Sequence, residues 1–185
     1  MYTGKKMSKE DLAVHQSKVL AELIFENNVE KLIEIGVWKG TTTKKVLKKK
    51  LPSLKEYWAV DPWLRMGPDY GRMHTRTPQE NWDGLYFKLC SFMYYFPQLR
   101  VLRLTSAEAA KIFPKHYFDL VFIDADHFYE PTLFDIQTWL PLVTQGGLLS
   151  GHDFGIRKAV NKAVCEMFGN DFDIHSGSVW THKVN

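Results

Sequence analysis

Seven residues carry polar or titratable groups close to where short apolar runs end: Glu34, Asp61, Ser106, Asp124, His127, His152 and Asp153. Acidic residues are seldom buried without a partner or a ligand, so their recurrence at the end of one run after another asks for a chemical reason. Glu34 lies in Lys31–Thr43, KLIEIGVWKGTTT, where an apolar run is followed by Gly36 and Gly40. Gly36 allows a sharp turn, and Gly40 allows backbone to approach a ligand closely. A glycine loop suggests phosphate, but neither G-x-G-x-x-G nor P-loop spacing is present, and the Glu34 carboxylate would repel it. A carboxylate there suits a cation instead, such as the ammonium group of an amino acid. Asp61, ending EYWAVD, could accept both hydroxyls of a ribose. Trp63 or the Ser106-Ala107 turn could flank an adenine ring. Together these residues describe a site for an adenosine that carries a cationic amino-acid tail.

The elements that must position these groups alternate. Helical spacing of Leu12, Val19, Leu20, Leu23 and Ile24 predicts an N-terminal helix over about 8–28, opened by a capping-box pattern at Ser8–Asp11. Strands are expected at 31–36, 56–61, 100–104, 118–124 and 148–151, with FDLVFID the clearest, and helices at 41–50, 78–95, from 105, from 129 and at 155–168. Residues 171–184 alternate around Gly177 as a terminal hairpin. Helix–strand alternation implies parallel strands with right-handed helical crossovers, and a short last turn implies one antiparallel strand. The expected fold is α/β, Rossmann-like and doubly wound: a mostly parallel seven-stranded sheet with a C-terminal antiparallel hairpin and helices on both faces. In such sheets ligands bind at the carboxyl ends of the strands, where the seven residues gather.

Composition bounds the rest. With 185 residues, 45% hydrophobic and 24% charged, the chain is expected to be one soluble globular domain spanning 1–185. The net charge of +3 is too small to imply nucleic acid, and the lysines at 44, 45, 48, 49 and 50 are expected to be a solvated helix face. Cys90 and Cys165 exclude a disulfide framework and suggest buried, reduced thiols in the cytoplasm. No signal peptide or membrane span is visible. Residues 62–77 are polar and turn-rich, and with the aromatic helix to residue 97 they form the expected cover over a substrate.

The motifs E-I-G-V-W-K-G-T at 34–41, V-D-P-W at 60–63, T-S-A-E at 105–108, F-I-D-A-D-H at 122–127 and Q-G-G-L-L-S-G-H-D at 145–153 stand in this order at successive strand ends. In this the chain resembles the class I S-adenosylmethionine-dependent methyltransferases over nearly its whole length, and most closely the small-molecule O-methyltransferases of catechol and macrolide type. The resemblance implies S-adenosylmethionine as cofactor, held by Glu34, Gly36, Gly40, Asp61, Trp63, Ser106, Ala107 and Asp124. It implies a divalent cation, Mg or Mn, at Asp124, His152 and Asp153, although His-Asp replaces the all-oxygen pair of catechol-type enzymes. Without a metal, Asp124 and Asp153 would simply accept loop hydrogen bonds. His127 stands where catechol-type relatives place a catalytic lysine and could act as a general base beside Asp124 and Asp153. The implied partner is a small hydroxyl acceptor, and the N-terminal helix and aromatic segment could bury a homodimer contact. A cofactor-binding protein without transfer activity, and an RNA methyltransferase using the basic helix, are the competing readings.

Overall fold

The computed structural model describes residues 9–65, 67 and 75–185. The expected cap at Ser8 and most of the turn-rich stretch, with Tyr70, Arg72 and His74, lie outside the described residues. In chain order the elements are α1 (Lys9–Glu26), β1 (Lys31–Ile35), α2 (Thr41–Leu47), β2 (Glu56–Val60), α3 (Gln79–Cys90), β3 (Leu99–Leu102), α4 (Ser106–Ala110), β4 (Phe118–Ile123), α5 (Tyr129–Trp139), β5 (Val143–Gly151), α6 (Lys158–Phe168), β6 (Asp173–His175) and β7 (Val179–Lys183). The strands form one sheet in the order β3-β2-β1-β4-β5-β7-β6. Neighbours from β3 to β5 pair in parallel, and β7 runs antiparallel between β5 and β6. This is the expected doubly wound architecture.

Side-chain alternation along the strands divides the core between the two faces. Leu32, Leu120 and Phe122 pack with Leu20 and Ile24 of α1, Val46 of α2 and Leu89 of α3. Ile33, Ile35, Val121 and Ile123 pack on the other face with Ile136 and Trp139 of α5 and Val160 and Val164 of α6. Strands apolar on both faces must be covered on both, which explains the unbroken hydrophobic runs in the sequence. The strand order reverses between β1 and β4, and the Asp124 amide donates to the Ile35 carbonyl at 2.8 Å, so their carboxyl ends meet.

Several boundaries differ from expectation. β5 begins at Val143 and includes Gly146 and Gly147 rather than starting after them. A Cβ on Gly147 would lie 2.8 Å from the Asp119 carbonyl, so Gly147 serves close strand packing, while Gly146 takes a left-handed backbone (φ 78°) with open space around it. α3 stops at Cys90 and continues as a 3₁₀ turn, Ser91–Tyr94. α6 starts only at Lys158, because the Asp153 carbonyl first closes a turn by accepting from the amides of Ile156 and Arg157. Cys90 is half-buried and Cys165 exposed, so the expectation of two buried thiols fails for Cys165, which lies on the outer side of α6. Among the described residues, no helix is long and apolar enough to cross a membrane.

Candidate active site

At the carboxyl end of β1, Gly36 takes φ 89°, and a Cβ there would stand 2.3 Å from the Asp124 carbonyl oxygen and 2.4 Å from the Ala125 Cα. Only glycine lets the end of β4 pass this closely. Asp61, just after β2, organises the loop that follows. Its Oδ2 accepts from the amides of Val37 (3.1 Å) and Trp38 (2.8 Å), and its Oδ1 accepts from Trp63 (2.7 Å). The carboxylate is half-buried. Asp61 thus shapes the loop that follows β1.

Four sequence assignments change in detail. Glu34 is 1% exposed and lies beneath the loop, where its Oε2 accepts from Thr43 (2.5 Å) and Tyr57 (2.7 Å). Burial raises its pKa to about 8, against the pull of those two hydrogen bonds and with a further push from Asp124 and Asp61. Burial thus favours the protonated form of Glu34, whose carboxyl is turned under the loop. Gly40 (φ 64°) makes room for α3, since a Cβ would meet Leu89 Cδ1 at 2.7 Å. Trp63 is fully buried with its Nε1 donating to the Trp38 carbonyl at 2.8 Å, so it cannot flank a bound ring. The Ser106 hydroxyl turns toward α5, donating to Asp135 and accepting from Trp139 Nε1 at 2.8 Å. Burial lifts Asp135 to about 6, partly offset by Ser106 and reinforced by the charge of Asp126. The turn at Ser106-Ala107 keeps its place at the start of α4, capped by Thr105 in a full capping box with Glu108.

On the β4–β5 side the expected residues do converge. His152 Nδ1 lies 3.4 Å from Asp124 Oδ1 and 3.3 Å from Asp153 Oδ1. One ligand atom from each of the three lies within 4.8 Å of the others. His127 Nδ1 lies 2.9 Å from Asp153 Oδ2, and Arg157 Nε is 3.9 Å from the same oxygen. The hydrogen bond to Asp153 holds His127 above the usual imidazole range, against the effect of burial. Burial works to raise Asp153, but the His127 hydrogen bond and the charges of His152, His127 and Arg157 outweigh it and hold its pKa low. Asp153 has φ 65°, a left-handed conformation that turns the chain sharply after β5. The cluster surrounds a small pocket lined by Asp124, Ala125, His127, Thr132 and His152.

Sequence reasoning missed Gln16 of α1, which is 4% exposed and donates to Asp124 Oδ2 at 2.6 Å. Nothing local could have revealed a partnership across 108 residues. Tyr57, which holds Glu34 together with Thr43, and Asp135, behind Ser106, were likewise hidden by distance in the chain. The expected basic face is partly visible: Lys44 Nζ donates to the Lys39 carbonyl and lies 5.0 Å from the Phe92 ring centre.

The model of a family described as "Methyltransferase domain" matches residues 33–154. The chain belongs to this family. Its sheet makes it a class I methyltransferase domain, a fold whose methyl donor is S-adenosylmethionine. No curated protein matches the sequence. Solved structures share the fold. A Staphylococcus aureus protein assigned as a caffeoyl-CoA O-methyltransferase is similar at TM-score 0.65 and 14% identity, over 98% of this chain and 86% of that one. The O-methyltransferase NovP is similar at TM-score 0.65 and 18% identity, over 95% and 78%. The S-adenosylhomocysteine-bound methyltransferase PaMTH1 of Podospora anserina is similar at TM-score 0.62 and 13% identity, over 97% and 81%.

Proposed function

We propose that this methyltransferase domain transfers a methyl group to a hydroxyl oxygen of a small molecule, with His127 as general base. The observation that carries the reading is the His127–Asp153 pair at 2.9 Å beside the meeting point of β1 and β4. An Nδ1–H donated to Asp153 fixes the ring and leaves Nε2 as the proton acceptor. This is the arrangement of a base oriented by a carboxylate. His127 keeps 41% of its side chain exposed, so a substrate hydroxyl can reach it.

The residues present fit the cofactor. Asp61 would take the ribose hydroxyls, the Gly36–Gly40 loop the methionine end, and the Ser106-Ala107 turn the adenine. S-adenosylmethionine supplies an electrophilic methyl on a positively charged sulfur. The chain's part is to align the acceptor oxygen in line with that methyl, to remove its proton at His127 Nε2, and to keep water out. Residues 62–97 form the acceptor-side cover in this reading. Within it Gln79, at the start of α3, accepts from the Arg65 amide at 2.9 Å and donates to the Trp63 carbonyl at 3.0 Å.

The donor set Asp124, His152 and Asp153 also fits a divalent cation, and its imidazole suits Mn²⁺ or another first-row ion better than Mg²⁺. Bound there, a cation would lower the pKa of the acceptor hydroxyl. Asp153 can serve both roles, because Oδ1 faces His152 while Oδ2 faces His127.

The test follows release of S-adenosylhomocysteine from S-adenosylmethionine with a panel of phenols and alcohols, before and after dialysis against chelator. His127→Ala is expected to lose about 100-fold or more in turnover while binding S-adenosylhomocysteine as well as the parent does. Turnover on amine or thiol acceptors alone, or full activity in His127→Ala, would refute the reading. Activity retained without any divalent ion would remove the cation from it.

A further inference from the structure

We propose that Arg157 binds a carboxylate on the acceptor, so that the substrate class is a small hydroxy acid; this rests on the hydroxyl-transfer reading above. The backbone sets the placement. After β5 the Asp153 carbonyl accepts from the amides of Ile156 (3.1 Å) and Arg157 (3.0 Å), and this turn brings Arg157 back against the Asp153 side chain. Asn161, in the first turn of α6, braces it from the other side. Its side-chain oxygen accepts from the Gly155 amide at 2.7 Å, and its own amide donates to the Arg157 carbonyl at 3.0 Å. The Arg157 backbone is therefore held at both its amide and its carbonyl, and only the side chain is left to move.

That side chain carries an unused charge. Arg157 Nε approaches Asp153 Oδ2 at 3.9 Å, beyond hydrogen-bonding distance, and the same oxygen already accepts from His127 Nδ1 at 2.9 Å. Among the described residues the guanidinium makes no hydrogen bond, and 56% of the side chain is exposed. So open an ion pair contributes little to stability, which leaves the charge available to a ligand. The planar fork of a guanidinium matches a carboxylate with two parallel hydrogen bonds. Base and cation flank a single oxygen, so a hydroxyl at His127 and an anion at Arg157 are no more than a ring or a short chain apart. Charge sets the kind of anion. Asp124 and Asp153 lie in the same cluster, so one guanidinium can offset a single negative charge, whereas both carboxylates would repel a phosphate dianion. Ile156 and Phe128, the chain neighbours of the cation and the base, are exposed and offer apolar surface for the carbon skeleton.

The experiment compares kcat/KM for hydroxybenzoic acids and aliphatic hydroxy acids with that for their methyl esters, using the wild-type chain, Arg157→Gln and Arg157→Lys. The wild-type chain is expected to prefer an acid over its ester by about tenfold or more, mainly through KM. Arg157→Gln is expected to bring acid and ester within about twofold of each other. Arg157→Lys keeps the charge but not the fork and is expected to fall between. Each ratio is taken on one enzyme, so a general effect on His127 or on folding cancels. The proposal is overturned if the wild-type chain uses esters as well as acids, if phosphorylated alcohols are used better than carboxylated ones, or if Arg157→Gln keeps the wild-type ratio. Turnover of no hydroxyl acceptor by a wild-type chain that binds S-adenosylhomocysteine would instead overturn the hydroxyl-transfer reading on which the proposal rests.

Discussion

Replacing Glu34 by glutamine removes a titratable group from beneath the cofactor loop while keeping its shape and the oxygen that accepts from Thr43 and Tyr57. In the folded chain this carboxyl ionises near pH 8, against an ordinary value of 4.5. Between those values the folded state holds a proton that the unfolded chain has released, so stability falls as pH rises. Each pH unit in that window costs about 1.4 kcal/mol, which amounts to about 3 kcal/mol between about pH 5 and about pH 7.5. Glutamine cannot ionise. The stability of Glu34→Gln relative to wild type is therefore expected to increase by about 3 kcal/mol over that interval, whatever its offset at low pH. Urea denaturation of both proteins at the two pH values measures this difference directly. Parallel pH dependences would refute the reasoning: Glu34 would then be ionised in the folded state, and its role as an anionic partner for the cofactor's ammonium group would be restored.

Two further outcomes follow from the same geometry. Gly36→Ala forces a Cβ to within 2.3 Å of the Asp124 carbonyl at a left-handed position, so denaturation should show a loss of about 3 kcal/mol or more, with Gly40→Ala costing less because flexible Leu89 can move. Asp61→Asn keeps the side chain's size but loses one charged acceptor for three loop amides, and should weaken S-adenosylhomocysteine binding at least about tenfold by calorimetry; unchanged affinity would remove Asp61 from the ribose site.

The strand ends were legible in the sequence because each is written locally. Apolar runs such as FDLVFID and KLIEI need cover on both faces, and alternation with helical patterns leaves few topologies other than a doubly wound sheet. The same locality explains why Asp124, His127, His152 and Asp153 were found: each lies within a few residues of a strand terminus, and parallel strands bring such termini together. What was not legible depended on distance or on backbone conformation. The Gly146-Gly147 pair looked like a turn, yet it lies within β5, where the Asp119 carbonyl leaves no room for a side chain on Gly147.

The sequence alone therefore determined the fold class and which strand ends carry polar chemistry, since periodicity and strand-end position are properties of short segments. Only the tertiary structure decided what each group does there. Glu34 is buried with its pKa raised because α2 and Tyr57 close over it, whereas Asp61 stays half-buried and binds the loop. Trp63 went into the core and Trp38 remained at the surface, though both stand near strand ends. Gln16 reached Asp124 from the other end of the chain. Burial and long-range hydrogen bonding set charge state and accessibility, and both depend on which segments pack together rather than on the order of residues within any one of them.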